Sequence, residues 1–358
     1  MDEVYHDWKT TINLNILLLK TMGLWPIKKE GFYMAYGSLI STLVVACHIG
    51  TQLISIYFVR NQLETVVAIV YILLINITAS FKVFFVIINM KKLNERMILL
   101  KRNWFPKNNH QQKVLNESGI KSWTSSCWMF VVLCVSWITF SMSYKLLDAS
   151  AEEKRLPFLA WYPYDYKISP LYEITYGFQV ISSRYLTLVH RIVDSLMYIV
   201  NVSTKCQFDI LSDNLRKFTK LSNDFNKGLS VCVLHHKWIL RCVEDCTFFN
   251  WIFVCHLIIN GVAIGKTMFQ LTMVVPFSSE FYTLVTYGFT ITIQIYMYCW
   301  DGNEVELTSD LVSYAAFDSD WTELPEDLKK KLFIFVLNII KPIKISALPF
   351  FRQICESS

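Results

Sequence analysis

The feature that most constrains this chain is a series of stretches, each about twenty residues long, with little or no charge. Residues 36–58 are 23 positions without a formal charge, and residues 65–89 stay uncharged until Lys82. Residues 124–144 carry no charge, residues 246–275 are broken only by Lys266, and residues 281–300 contain no Asp, Glu, Lys or Arg. A helix rises 1.5 Å per residue, so about 20 apolar residues cross roughly 30 Å of hydrocarbon. Residues 171–203 form a further span, interrupted by Glu173, Arg184, Arg191 and Asp194. That run would reach roughly 50 Å and must project beyond the bilayer. A seventh segment, 332–340, is apolar but is cut by Lys341-Pro342. Only 18% of the residues are charged and 53% are hydrophobic, against about 25% charged in a soluble domain. The spacing predicts an all-α membrane protein.

The charge pattern sets an orientation. With the N-terminal region and the second, fourth and sixth connections on one side, that side holds 22 Lys and Arg, and the other side holds 8. The positive-inside rule places the N-terminus in the cytoplasm, and seven crossings then put the C-terminus outside. The last uncharged span meets an abrupt change, because residues 301–327 carry nine acids and no base. Acids weigh little in the rule, so this stretch is predicted on the cytoplasmic side. Before the first span, Trp8, Ile12, Ile16 and Leu19 share one face at helical spacing. That face fits either a helix lying on the membrane surface or one packed on protein. No signal-peptide core or cleavage site is expected. The connections 91–123 and 204–245 are long and rich in basic and amide residues.

Little in the chain points to catalysis or metal binding. There is no phosphate-binding Gly loop, nucleophile elbow or zinc-protease helix. Asp301-Gly302-Asn303 opens like a calcium loop, but Glu306 stands where the loop needs Gly. His235-His236 are adjacent and point apart on a helix, so no metal site and no cofactor are expected. Of ten cysteines, none lies in a predicted outer connection, and no disulfide framework is implied. The three glycosylation patterns, at Asn76, Asn116 and Asn201, fall in or inside the membrane and are expected to stay unused. Lys82 sits near the inner end of its span, where it can snorkel. Arg184, about 20 Å into its span, faces either a helix contact or a cavity. His190 and Arg191 each stand one turn from Asp194 and look like local pairing at the inner interface.

In order along the chain stand Gly23-Leu24-Trp25-Pro26, Trp161-Tyr162-Pro163-Tyr164-Asp165, Asp194 with Gln207-Phe208 and Leu211, and Tyr298-Cys299-Trp300-Asp301-Gly302-Asn303. Ala315-Ala316, Asp320-Trp321, Lys341-Pro342 and Ser346-Ala347 follow. Over nearly its whole length the chain resembles insect odorant receptors, and more loosely the related gustatory receptors. The resemblance implies a seven-helix, inverted-topology bundle with a cytoplasmic N-terminus and a cytoplasmic helical anchor. It implies an odorant-binding subunit of a ligand-gated, non-selective cation channel, not an enzyme. The partners implied are a small volatile odorant, a coreceptor in a hetero-tetramer and the lipid bilayer, with no nucleic acid. The location implied is the plasma membrane of olfactory sensory neurons. On this plan 1–35 is a cytoplasmic amphipathic region, and 36–300 holds helices one to six. Residues 301–345 form an acidic, solvated connection leading to an anchor helix, and 346–358 begin a seventh, pore-lining helix. Too few residues follow Ser346 to cross a bilayer, so that helix is read as incomplete and the chain as C-terminally truncated. The competing readings are a G-protein-coupled or gustatory-type chemoreceptor, or a non-conducting subunit.

The same resemblance places an odorant pocket in the outer half of the bundle. In this sequence it would be lined by Tyr71, Trp137, Phe140, Ser141, Tyr144, Tyr176, Gln179, Tyr282 and Phe289. Aromatic walls bury a volatile ligand by area, and a few hydroxyl or amide groups orient it.

Overall fold

The computed structural model describes residues 16, 17, 20, 31–101, 156–221, 225–245 and 248–340. The described residues are helical with no strand. The helices are α1 (Gly31–Val59), α2 (Leu63–Lys101), α3 (Leu171–Leu221), α4 (Phe225–Asp245), α5 (Phe248–Met273), α6 (Ser279–Phe317) and α7 (Glu326–Ile339). Among the described residues, three windows are long and apolar enough to cross a membrane: Thr42–Val59, Thr65–Asn89 and Ile252–Met273. Many apolar side chains on α1, α2 and α5 face outward, among them Leu43, Phe84, Phe269 and Met273. In water such surface would be costly, whereas in a bilayer it meets lipid.

The connections are tight where the sequence supplies turn chemistry. Between α1 and α2 the Gln62 N–H donates to Val59 O at 2.9 Å. The Arg60 guanidinium lies over the Tyr57 ring, 5.3 Å from its centre. Pro276 follows the end of α5, and Phe277 takes a positive φ of 64° to reverse the chain. Ser278 then caps α6, its hydroxyl accepting the Phe281 N–H at 3.1 Å.

Two helices are far longer than a membrane is thick. α3 has 51 residues, or about 77 Å, and α6 has 39, or about 58 Å. They pack against each other along much of their length. The stretch 204–221, expected as part of a connection, continues α3, and 225–245 is a helix of its own. The acidic segment is likewise no solvated connection in its first part: α6 runs unbroken through Asp301 to Phe317. The acids permit this because the positions that share one face are Asp301, Val305, Thr308, Val312, Ala315 and Ala316, all buried. Glu304, Glu306 and Asp310 fall off that face, and Lys205 of α3 binds Glu304 at 2.5 Å.

Below the spans, α3, α4, α6 and α7 close a second core. Phe208, Leu211 and Leu215 of α3 meet Leu229 and Ile239 of α4, Val312 and Ala315 of α6, and Leu332 and Phe335 of α7. α7 follows a 3-10 turn at Trp321–Glu323. It buries Leu328, Leu332, Phe335, Val336 and Ile339, one stripe at helical spacing. Glu326 and Asp327 in its first turn sit where the helix dipole favours acids. Near the N-terminus, Ile16 is buried in the upper core beside Val193 and Leu196, so at that residue the packing is on protein. Trp8, Ile12 and Leu19 lie outside the described residues, as do the third span, 124–144, and the segment 341–358.

A polar-floored cavity between four helices

Residues of α2, α3, α5 and α6, with His48 of α1, line a cavity of about 370 Å³. Its walls are mostly apolar, with Ile72 and Ile75 from α2, Val180 and Leu186 from α3, Ile259 from α5 and Ile291 from α6. The stretch that leads into α3 reaches one end of it. Pro157 and Phe158 reach the cavity, and the Phe158 ring stands edge-on to His48, 6.0 Å between centres.

Gln179 of α3 fixes this stretch. Its Nε2 donates to Phe158 O at 3.0 Å and to the Tyr162 hydroxyl at 3.1 Å, and its Oε1 accepts the Phe158 N–H at 2.9 Å. Further along, the Trp161 N–H donates to Thr51 O at 3.1 Å, and the Trp161 ring stacks on Phe58 at 5.2 Å. Tyr164 and Thr175 share a hydroxyl bond of 2.9 Å. Burial pushes the Tyr162 phenol above its ordinary value, which keeps it a neutral hydrogen-bonding partner.

The floor carries charge. Lys82 of α2 is 1% exposed and binds Asp194 Oδ1 of α3, with His190 Nε2 at 3.2 Å from its Nζ. This corrects the snorkelling expectation: a carboxylate one helix away satisfies the ammonium where it stands, so the side chain has no need to reach the interface. Gln294 of α6 donates to the other Asp194 oxygen at 2.6 Å. His190 Nε2 lies 3.6 Å from Asp194 Oδ2, and the His190 and His256 rings are 5.0 Å apart. His190, Arg191, His256 and Gln294 all line the cavity. Pairing at Asp194 is therefore no longer local to one helix but ties α2, α3 and α6 together. His190, Asp194 and His256 have donor atoms close enough to share a metal ion. The Lys82 ammonium already supplies a cation to two of the three, and a metal would have to displace it.

Of the residues expected in the pocket, Tyr176 lines the cavity. Gln179 is fully buried and engaged with the stretch that leads into α3. Tyr282 and Phe289 stand on the outer face of α6, 44% and 62% exposed. The backbone of Tyr71 lies in α2 but its side chain is outside what is described, and Trp137, Phe140, Ser141 and Tyr144 lie outside the described residues. The expectation missed His48, Asn76, Asn260 and Thr267, polar residues that line the wall. Their signal was present as polar residues in apolar helices, which tend to face protein rather than lipid. Arg184 lines the cavity too.

His235 and His236 serve packing in α4. His235 Nε2 meets Gln207 Oε1 at 2.9 Å, and the His236 ring stands edge-on to Phe335. Burial, with His236 adding to it, pushes His235 down to about 4, so it stays neutral. The six described cysteines are free thiols, and burial raises Cys232 to about 12.

A family model described as 7tm odorant receptor matches residues 62–354. The chain is 22% identical to odorant receptor Or1 of Anopheles gambiae, covering 95% of this chain and 89% of that protein. It is 23% identical to odorant receptor 22a of Drosophila melanogaster, covering 75% of this chain and 67% of that one. Among solved structures, the olfactory receptor OR5 of Machilis hrabei, determined with eugenol, superposes with a TM-score of 0.84 at 15% identity. That match covers 99% of this chain and 96% of OR5, and it shares the helical bundle fold.

Proposed function

The chain belongs to the 7tm odorant receptor family of multi-pass membrane receptors, and we propose that it is the odorant-binding subunit of a ligand-gated cation channel assembled with a coreceptor. The observation that carries this reading is the cavity of about 370 Å³ within the membrane-spanning bundle. Its mostly apolar wall suits a small volatile molecule, which gains affinity from buried area. Its position suits a ligand pocket rather than a pore, because Phe158 lines one end and His190 and Gln294, both bound to the Lys82–Asp194 pair, line the other. OR5, which shares the fold, was solved in complex with eugenol.

The N-terminus lies inside, on the strength of the bias of 22 Lys and Arg against 8. The lower bundle is then a cytoplasmic anchor. Its outer faces carry exposed apolar stripes, with Leu307, Leu311 and Tyr314 on α6 and Phe333, Ile334 and Leu337 on α7. Outside a bilayer such stripes call for a protein partner, and neighbouring subunits supply one. The setting is the plasma membrane of olfactory sensory neurons.

The test is co-expression with a coreceptor subunit and recording of odorant-evoked cation current under an agent that blocks G-protein signalling. Current that survives the block supports the channel reading. Current that disappears under the block, or a tag on the N-terminus that is labelled on intact cells, defeats it.

A further inference from the structure

Most polar side chains in the cavity wall are satisfied by the protein itself. The hydroxyls of Thr78, Thr187, Thr267 and Thr290 donate to backbone carbonyls of their own helices at 2.7–2.8 Å. The Asn76 amide donates to Gln52 Oε1 at 3.1 Å. Two groups differ. His48 Nε2 and Asn260 Nδ2 are buried atoms with no partner, on side chains 2% and 6% exposed. Both residues line the cavity. Unmet polar atoms in an apolar enclosure are costly, and each is eased by a ligand that supplies the missing partner.

The partner each needs follows from the bonds already made. The Ser182 hydroxyl lies 2.7 Å from Phe178 O, a carbonyl that can only accept, so the single hydroxyl proton points there. Ser182 Oγ is then an acceptor toward His48 Nδ1, 3.2 Å away, and His48 carries its proton on Nδ1. The ring is neutral, because no carboxylate contacts it and a lone buried imidazolium would be expensive. Its Nε2 is therefore a bare acceptor and needs a donor. Asn260 Nδ2 is a donor and needs an acceptor. A ligand made only of hydrocarbon serves neither, and of these two wall groups an ester, ketone or ether serves only Asn260.

We propose that the cavity selects apolar molecules bearing a hydroxyl, alcohols or phenols, whose O–H donates to His48 Nε2 while Asn260 Nδ2 donates to the same or a second ligand oxygen. The inference rests on the cavity being the ligand site of the receptor. It names His48 of α1, a helix on which sequence reasoning had placed no site residue.

The test pairs each probe with its methyl ether, which keeps the oxygen and removes the donor: benzyl alcohol with benzyl methyl ether, phenylethanol and octanol with theirs. In cells expressing the full chain with a coreceptor, the alcohols should be more potent than the ethers by about tenfold, the usual value of one buried hydrogen bond. His48→Phe keeps a ring of similar shape and should bring that ratio to about one, while His48→Gln, which retains an acceptor, should restore part of it. Asn260→Leu should weaken alcohols and ethers alike. Equal potency of alcohols and ethers on the unaltered chain overturns the inference and leaves the receptor reading standing. Ligand-dependent thermal protection of the tagged chain in the same membranes gives a second readout. If no current is evoked but alcohols protect and ethers do not, the inference holds and the channel reading fails. If no current is evoked and protection is absent or equal, the inference is overturned. A ratio unchanged in His48→Phe at normal abundance overturns it as well.

Discussion

The two cores of this bundle solve opposite problems with the same helices. In the upper core, α3 and α6 meet α2 and α5 around open volume, with a buried ion pair at the floor and unpartnered His48 and Asn260 in the wall. In the lower core, the same two helices meet α4 and α7 through Leu211, Leu215, Val312, Ala315 and Phe335, all nearly or wholly buried. The small Ala315-Ala316 pair lets α6 approach closely where Leu and Phe from its neighbours fill the space. The upper core gives up packing to leave room for something else, and the lower one does not. A ligand can therefore reorganise contacts above, while α3 and α6, each continuous from one core to the other, carry any tilt into the lower core as rigid rods. Coupling between the two cores depends on this contrast, and each variant below would disturb it.

The largest effect should come from the floor. Asp194→Asn leaves the Lys82 ammonium buried without its counter-charge, and breaking a buried pair in this way costs about 3–5 kcal/mol. Surface abundance and the thermal midpoint of the tagged chain should fall sharply. The double variant Lys82→Met/Asp194→Leu removes both charges and should recover most of the loss, a non-additivity that a double-mutant cycle would read directly. If the double variant is as damaged as the single one, the pair is not what holds the floor together. Close behind comes Leu211→Ala in the lower core, expected to cost about 2–5 kcal/mol through the lost methyl groups and the cavity they leave. Its signature should differ, since abundance drops while the relative potency of different odorants stays fixed in the molecules that reach the surface. A changed rank order there would erase the division of labour between the cores.

That division was only half legible in the sequence. Charge-free runs of about twenty residues fixed the spans at 36–58, 65–89 and 246–275, because hydrocarbon thickness leaves little freedom in the length of a crossing helix. Helix continuity was harder to read. The shift to acids at Asp301 marks a change of environment and not a break in the backbone, and α6 ignores it because its acids and its buried stripe occupy different faces. A hydropathy window averages those faces together. Lys82 illustrates a second limit. Its place near the end of a span is local information, whereas its partner Asp194 is 112 positions away and visible only once α2 and α3 are packed. The cavity shows a third. Tyr176, expected from its residue type, lines the cavity, whereas Tyr282 and Phe289, of the same type, stand on the other side of their helix and face outward. Composition names candidates, and rotation about the helix axis decides among them.

A smaller effect is expected at the seam between the cores. Burial, with Glu304 adding to it and Lys205 opposing it, raises the Asp301 carboxyl to about 8. Asp301 lies just past the charge-free run, on the face of α6 that turns inward. In the unfolded chain the group ionises near 3.8, so between about 4 and 8 the folded state holds a proton that the unfolded state releases. The contribution of this carboxyl to stability is fully present below that window and is lost as pH rises through it. Asp301→Asn keeps the shape and removes the titration. It should flatten this part of the pH dependence and raise the thermal midpoint at the alkaline end. A variant that loses stability across the whole range would mean that the ionised form is the one the seam needs.

The smallest effect on stability, and the sharpest on selectivity, belongs to Tyr176. Its ring lines the cavity and lies 6.0 Å from that of Tyr172 on the same face of α3, partly accessible rather than locked in the core. Tyr176→Ala removes wall without stranding a charge or opening a sealed void, so abundance should change by less than about 1 kcal/mol in equivalent stability. The enlarged cavity should favour bulkier odorants and weaken small ones, because a ligand gains from the area it buries and a loose fit forfeits dispersion. Dose–response curves for a size-graded series, normalised to surface label, would show the order inverting. The floor and lower-core variants should scale every curve together, and only the wall variant should make the curves cross. Parallel loss of abundance and response in Tyr176→Ala would place this ring in the structural core and leave the α3 wall to Val180 and Leu186.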